Sequence, residues 1–308
     1  MVAVASPSPR ALIGNISGIH SAGGSLSADP SGNLLLASGS GGRAAVWDFV
    51  RHEIKASWKI CERPIWRSAF CDTRLELAIA SADGLIRIWD PRAGGATATF
   101  NASTRRVVFL RYAENGNLLI WADAGGKIHA AECASWRLIG TTVSAPHDIR
   151  TATADSTANT IAMAGYQPEI HLFDRLGATP PARLAGHPGG VYSLAFHPNE
   201  PLLASGGRDC LARLWDVPAR KQLQEFHGHT ESVLALAFSP DGAHIASGDA
   251  SGTIILWDRV SGHELARQCL PRPSTAESLV FARNGTVLAA CGTGAEIGLW
   301  NLLAIAAG

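Results

Sequence analysis

A 42-residue internal period, with four short strand-like runs in each copy, predicts an all-β fold: a ring of seven four-stranded antiparallel blades, a β-propeller. The period is carried by Trp-Asp dipeptides. Trp47-Asp48 and Trp89-Asp90 stand 42 residues apart, and Trp215-Asp216 and Trp257-Asp258 repeat that step. Phe173-Asp174 lies 42 residues before Trp215, and Trp300-Asn301 lies 43 after Trp257. The gap from Trp89 to Phe173 is twice 42, and its midpoint, Ala131-Glu132, falls in GGKIHAAE, which aligns with DGLIRIWD around Trp89. Blades are therefore centred on Trp47, Trp89, Ala131, Phe173, Trp215, Trp257 and Trp300, and residues 1–308 are read as a single domain.

The fifth copy shows how each blade is built. VYSLAF from Val191 is a strand that ends at the turn HPNEP. LLAS follows, then the turn GGRD, then LARLWD, then a Pro-containing turn, then KQLQEF. Apolar and β-branched runs punctuated by Gly, Pro, Asn and Asp are the signature of short strands and turns. No comparable window carries sustained helical periodicity. Copy seven supplies only three strands: SLVF, TVLAAC and EIGLW. The apolar segment from Arg10 to Ile16 is expected to add the fourth and close the ring, which would leave no open sheet edge. The tail NLLAIAAG after Trp300 competes for the same place.

Composition narrows the function classes. Basic and acidic residues number 26 each, with no basic tail or stripe, so bulk electrostatic binding of nucleic acid is not expected. The six cysteines form no C-x-x-C pair, and their spacing suggests neither zinc nor a disulfide framework. The N-terminal sequence has no basic region followed by an apolar one, and no run of 18 apolar residues occurs. We therefore expect a cytoplasmic chain (nuclear if eukaryotic), with no secretion and no membrane span. A P-loop, a G-x-S-x-G elbow and an H-E-x-x-H helix are all missing. The expectation is a chain that is not an enzyme, takes no cofactor, metal or small-molecule substrate, and binds a protein or peptide.

The pattern Gly-His … Phe-x-Pro … Ala-Ser-Gly … Trp-Asp, in Gly186-His187 to Trp215-Asp216 and Gly228-His229 to Trp257-Asp258, resembles the Trp-Asp (WD) repeat family of β-propellers. The resemblance covers nearly the whole chain. It implies that His187, Ser205, Asp209 and Trp215 form a structural hydrogen-bond network rather than a hydrolase triad. The same role is implied for His229, Ser247 and Trp257 in copy six, where Ser251 stands in the Asp209 position, and for Asp83 and Trp89 in copy two. Copies one and four keep His20 and His147. Copies three, four and seven are expected to lean on apolar packing. In copy three Ala131 replaces the strand Trp, while Trp121 stands ten residues earlier, where a large side chain could fill the same volume.

Propellers present variable loops around the channel mouths on a rigid scaffold. The resemblance points to two positions per blade on the upper face. The second residue of the inner strand reads Gly24, Trp66, Val108, Arg150, Tyr192, Leu234 and Glu277. The residue before the Asp of the turn preceding the Trp strand reads Ser40, Ala82, Ala124, Tyr166, Arg208, Ala250 and Thr293. Trp66, Arg150, Tyr166, Tyr192, Arg208 and Leu234 are the partner-binding candidates, because Trp, Tyr and Arg dominate interface hot spots. A second reading comes from IASADGLIRIWDPR, which resembles the Trp-Asp-x-Arg box that cullin adapters recognise, with Arg92 as the contact residue. That reading makes the chain a substrate receptor of a ubiquitin ligase.

Overall fold

The computed structural model describes residues 12–16, 24–71, 73–144, 148–174, 181–270, 274–294 and 296–302. The strands form seven four-stranded antiparallel sheets. Blade five is typical. Its strands, Val191–Phe196, Leu202–Gly207, Ala212–Asp216 and Lys221–Phe226, follow chain order from the innermost outward. Leu202–Gly207 is buried throughout, whereas in Lys221–Phe226 only Phe226 is fully buried and Lys221 and Leu223 are exposed, as befits an outer strand with one solvent face.

Blade seven departs from chain order. Leu12–Ile16 pairs antiparallel with Ile297–Asn301, Leu12 opposite Trp300 and Ile16 opposite Ile297. The N-terminal strand thus closes the ring, and the competing segment after residue 302 lies outside the described residues. His20 and His147 lie outside them too.

The core is divided by seam. Seven apolar clusters fill the seven blade-to-blade interfaces. The seam between blades seven and one is as fully packed as the rest, with Leu35, Phe49, Val287 and Leu299 in one cluster. The periodic aromatic always faces the preceding blade. Trp215 packs with Ile170 and Leu172 of blade four, and Trp257 packs with Leu202 and Leu214 of blade five. This explains the 42-residue repeat physically: each Trp or Phe is the part of its blade that buries the neighbour's exposed face.

Blade three keeps that arrangement with the exchanged residue. Trp121 lies on the second strand, Leu118–Asp123, and is completely buried. It shares the blade two–blade three cluster with Ile86, Ile88 and Ala131. Its ring lies 5.7 Å from Phe100 and stacks at 5.2 Å on His129, and its Nε1 donates to the Ala102 carbonyl at 3.0 Å.

Six blades share one irregularity. Pairing of the innermost strand with the second strand skips a residue between Ile65 and Arg67, Val107 and Phe109, Ile149 and Thr151, Val191 and Ser193, Val233 and Ala235, and Ala276 and Ser278. The skipped residues are Trp66, Val108, Arg150, Tyr192, Leu234 and Glu277. A bulge of this kind leaves one residue unpaired and re-aims its side chain. The second inner-strand position is therefore a bulge position, freed from the ladder at the rim of the channel.

Candidate partner-binding face

The polar groups that look most chemical lie inside blade five. Trp215 Nε1 donates to Ser205 Oγ at 2.7 Å, Ser205 Oγ lies 2.7 Å from His187 Nε2, and His187 Nδ1 lies 2.9 Å from Asp209 Oδ1. With the imidazole proton on Nδ1, every group in this chain has a partner. The Ser–His–Asp order is that of a hydrolase triad. Ser205 and His187 are fully buried, however, and the serine oxygen is already engaged by the indole, so the hydroxyl is not offered to a substrate. Burial holds His187 below the usual imidazole range despite the Asp209 carboxylate. Burial opposes the Asp209 charge, but bonds from Arg213 and His187 outweigh it and keep the carboxyl below its ordinary value.

Blade six repeats the chain with one change. Trp257 Nε1 donates to Ser247 Oγ at 2.7 Å, and His229 spans Ser247 and a carboxylate. That carboxylate is Asp249, at 2.7 Å from Nδ1, and not the group at the Asp209 position. Ser251 there donates to Asp249 instead. Two offsets thus serve one geometry. Blade five has Gly207 at the place of Asp249, where a side-chain carbon would strike the His187 ring, and its acid arrives from two residues later.

Blade two is a correction. Asp83 is engaged: it accepts from Ser81 Oγ at 2.7 Å and from Arg87 Nη2 at 2.6 Å. Burial opposes its charge, but those bonds hold its pKa at about 2. Trp89 is not part of that network, and its buried Nε1 has no partner. The reason is Ile79, which stands where blade five has Ser205. Blade one has the same defect, with Ala37 in that position and Trp47 Nε1 unpartnered. Ala37→Ser is expected to raise unfolding free energy by about 1 kcal/mol by giving that indole an acceptor. Chemical denaturation checks it, and an unchanged or lower midpoint would count against the homology between these positions.

Blade three also departs from pure apolar packing. Asp123 Oδ2 lies 2.7 Å from Ser103 Oγ and 3.2 Å from His129 Nε2. Burial works against the charge, but the bonds from His129, Ser103 and the Lys127 amide hold the carboxyl at about 2. Blade four fits the apolar expectation better, with Met163 and Phe173 buried at the Ser205 and Trp215 positions.

On the upper face, three of the six candidates come together. The Arg150 guanidinium lies 4.3 Å from the centre of the Tyr192 ring, and Tyr166 meets Tyr192 edge-on at 6.2 Å. Tyr166 is 58% exposed, so its ring is open to solvent beyond that one contact. Gly190, with φ +105°, makes this approach possible, because a side-chain carbon there would sit 2.8 Å from the Gly165 carbonyl and 2.9 Å from Tyr166 Cα. Arg208 is exposed, and its side chain passes close enough to Gly189 that a side-chain carbon there would lie 3.4 Å from Arg208 Cδ. Leu234 and Tyr192 line the same central cavity of about 400 Å³, together with Arg67 and Glu277. Trp66 is separate. It packs on the blade two–blade three core and lines a different recess with Asp83, Gly84 and Ser103. Arg92 is exposed on another part of blade two, beside a recess lined by Trp58, Leu75 and Pro91, with its amide bonded to Asp90 at 2.7 Å.

Three residues at the mouth were not singled out by sequence reasoning. Arg67 follows the Trp66 bulge, Arg106 precedes the inner strand of blade three, and Glu277 is the bulge residue of blade seven. Glu277 was legible by position. The arginines fall one or two places off the repeating positions, so no spacing marked them.

A family model described as WD domain, G-beta repeat matches residues 178–216 and 220–258, which hold the three inner strands of blades five and six, each with the outer strand of the blade before. Two of the repeats in this seven-bladed ring are thus WD repeats. These two repeats are the ones whose His–Ser–Trp networks are complete. Among similar proteins, Periodic tryptophan protein 2 of Arabidopsis thaliana is 28% identical over 147 residues, 47% of this chain and 16% of the relative. Striatin-4 of Homo sapiens is 28% identical over 180 residues, 52% of this chain and 23% of the relative. The Caenorhabditis elegans homolog of Periodic tryptophan protein 2 is 23% identical over 189 residues, 60% of this chain and 20% of the relative. The matched part of the WD-repeat chain thus spans about a fifth of each of these proteins. Among the described residues, no helix is long and apolar enough to cross a membrane, and no group of three His, Cys, Asp or Glu could hold a metal ion.

Proposed function

We propose that this propeller is a non-catalytic scaffold that binds a protein or peptide partner on the upper-face loops of blades four and five. The observation that carries the reading is the Arg150–Tyr192–Tyr166 arrangement. Two adjacent blades hold an arginine over one tyrosine and a second tyrosine edge-on to it, with the outer ring open to solvent. Rigid aromatic and arginine anchors lose little conformational freedom on binding, which suits them to interface centres. Leu234 and Arg208 extend the patch toward the channel and the blade five rim. The similarity to Periodic tryptophan protein 2 and Striatin-4 supports a binding role for the ring without naming its partner.

Partner capture by purified wild-type protein, compared with Tyr192→Ala and Arg208→Glu variants that keep the wild-type melting temperature, tests the reading. Capture should fall by about tenfold or more in Tyr192→Ala, the loss of a hot-spot residue. Undiminished capture by both variants would remove the patch. The cullin-adapter reading has one observation in its favour, the exposure of Arg92 beside the Trp58–Leu75–Pro91 recess. Binding of the purified chain to the adapter, and its loss in Arg92→Ala, is the corresponding measurement.

A further inference from the structure

The channel mouth holds positive charge that this chain does not neutralise. Several arginines elsewhere sit against carboxylates: Arg87 on Asp83, Arg213 on Asp209 and Glu225, Arg259 on Glu200, Arg267 on Glu264. Among the described residues, Arg67, Arg106, Arg150 and Arg208 make no ion pair. Arg67 lines the cavity and spends its Nε on the Val108 carbonyl and its Nη1 on the Trp66 carbonyl, both at 2.8 Å, which fixes the guanidinium. Arg150 is fixed by the Tyr192 ring. Both guanidinium groups are held in place without a carboxylate partner among the described residues.

Their proximity shows in their acid–base behaviour. Burial lowers Arg67 to about 10, and the charges of Arg106 and Arg150 push it the same way while Glu277 opposes them. Arg106 is lowered by burial and then by Arg150, with Tyr166 and Glu277 opposing. Glu277 is the nearby carboxylate, and it is also engaged by the Thr275 hydroxyl at 3.2 Å. Arg67 and Glu277 line the cavity itself, Arg150 lies over the Tyr192 ring that lines it, and Arg106 is near enough to act on Arg67.

Resting on the scaffold reading above, we infer that the partner presents an acidic peptide segment, whose carboxylates enter the mouth against Arg67, Arg106 and Arg150 while its chain lies on Tyr166 and Tyr192. An anion there removes the mutual repulsion and engages guanidinium forks already held in place, the setting in which charge complementarity gives both rate and specificity. Single-stranded nucleic acid fits the site less well. It needs a cationic groove that tracks a backbone, whereas these cations are gathered at one opening of a chain with equal numbers of acidic and basic residues.

The test is fluorescence anisotropy on the full chain with a labelled oligo-glutamate peptide, an oligo-lysine peptide of equal length and a single-stranded RNA of equal contour length. The acidic peptide should bind and the basic one should not, and binding should weaken as salt rises. Arg106→Glu should cut affinity by about tenfold or more at unchanged melting temperature, and Arg67→Gln should cut it without reversing charge. Equal binding of both peptides, tighter binding of the RNA, or wild-type affinity in Arg106→Glu would overturn the inference. Failure of the scaffold reading is distinguishable. If partner capture is lost in Tyr192→Ala but the acidic peptide does not bind, the platform stands and the acidic chemistry falls. If Tyr192→Ala and Arg208→Glu both capture normally, the platform itself falls.

Discussion

Trp121→Ala should lower stability by about 3–5 kcal/mol, the usual cost of emptying a buried Trp site. The side chain is completely buried, it stacks on His129 and touches Phe100, and it fills the seam between blades two and three where Ala131 leaves no aromatic. Its indole N–H also ties the Ala102 carbonyl, in the connection between those blades. Removal leaves a cavity that a sheet-on-sheet seam cannot easily collapse, and a buried carbonyl without its donor. The melting temperature should fall on the order of 10 °C for a domain of this size. Trp121→Phe should recover much of that loss, because it keeps an aromatic ring in the seam and forfeits only the indole's second ring and its hydrogen bond. A melting temperature unmoved by Trp121→Ala would show that the exchange between residues 121 and 131 is not a packing compensation.

Ser205→Ala should cost about 2–4 kcal/mol although it removes a single oxygen atom. That oxygen accepts from Trp215 Nε1 and meets His187 Nε2, and both partners are buried. Each buried polar group left unsatisfied costs about 1–3 kcal/mol. Trp215→Phe removes one of the two orphans in advance, so Ser205→Ala in that background should cost measurably less than in the wild type. Equal costs in the two backgrounds, or a loss below about 0.5 kcal/mol in the wild type, would mean that the network adds little to the blade. The natural contrast is blade two, where Ile79 replaces the serine and Trp89 Nε1 is already unpartnered.

The ring was legible because its repeating aromatic has one physical task. Trp47, Trp89, Phe173, Trp215, Trp257 and Trp300 all pack against the blade before them, so a 42-residue rhythm survives even where the rest of a copy has drifted. Ala131 was found by spacing alone, and the structure places the missing bulk on Trp121. The polar networks were less legible. An Asp six residues before a Trp marked Asp83–Trp89, but Ile79 on the neighbouring strand decides whether that indole has a partner. In blade six Asp249 reaches His229 from two residues before the expected place. Such offsets are set by how a turn delivers a short side chain, which residue spacing does not encode. At the mouth, Tyr192 and Arg150 could be picked out by position, but not that the position is a bulge, nor that one guanidinium lies over the other residue's ring. Arg67 and Arg106 gain their meaning only from strands of different blades meeting around one opening.

The pairing of Leu12 with Trp300 also has a consequence in time. Each of the other six sheets is assembled from strands consecutive in the chain, so it can form soon after its last strand is made. The sheet that closes the ring cannot. Its first strand leaves the ribosome early and must wait, unpaired, for a partner almost the whole chain away. Contacts of such long separation are slow to form, and an idle strand edge is exposed to wrong pairing in the interval. Closure thus has to wait until Ile297–Asn301 has been made, and the blade it completes is where assembly is most open to error.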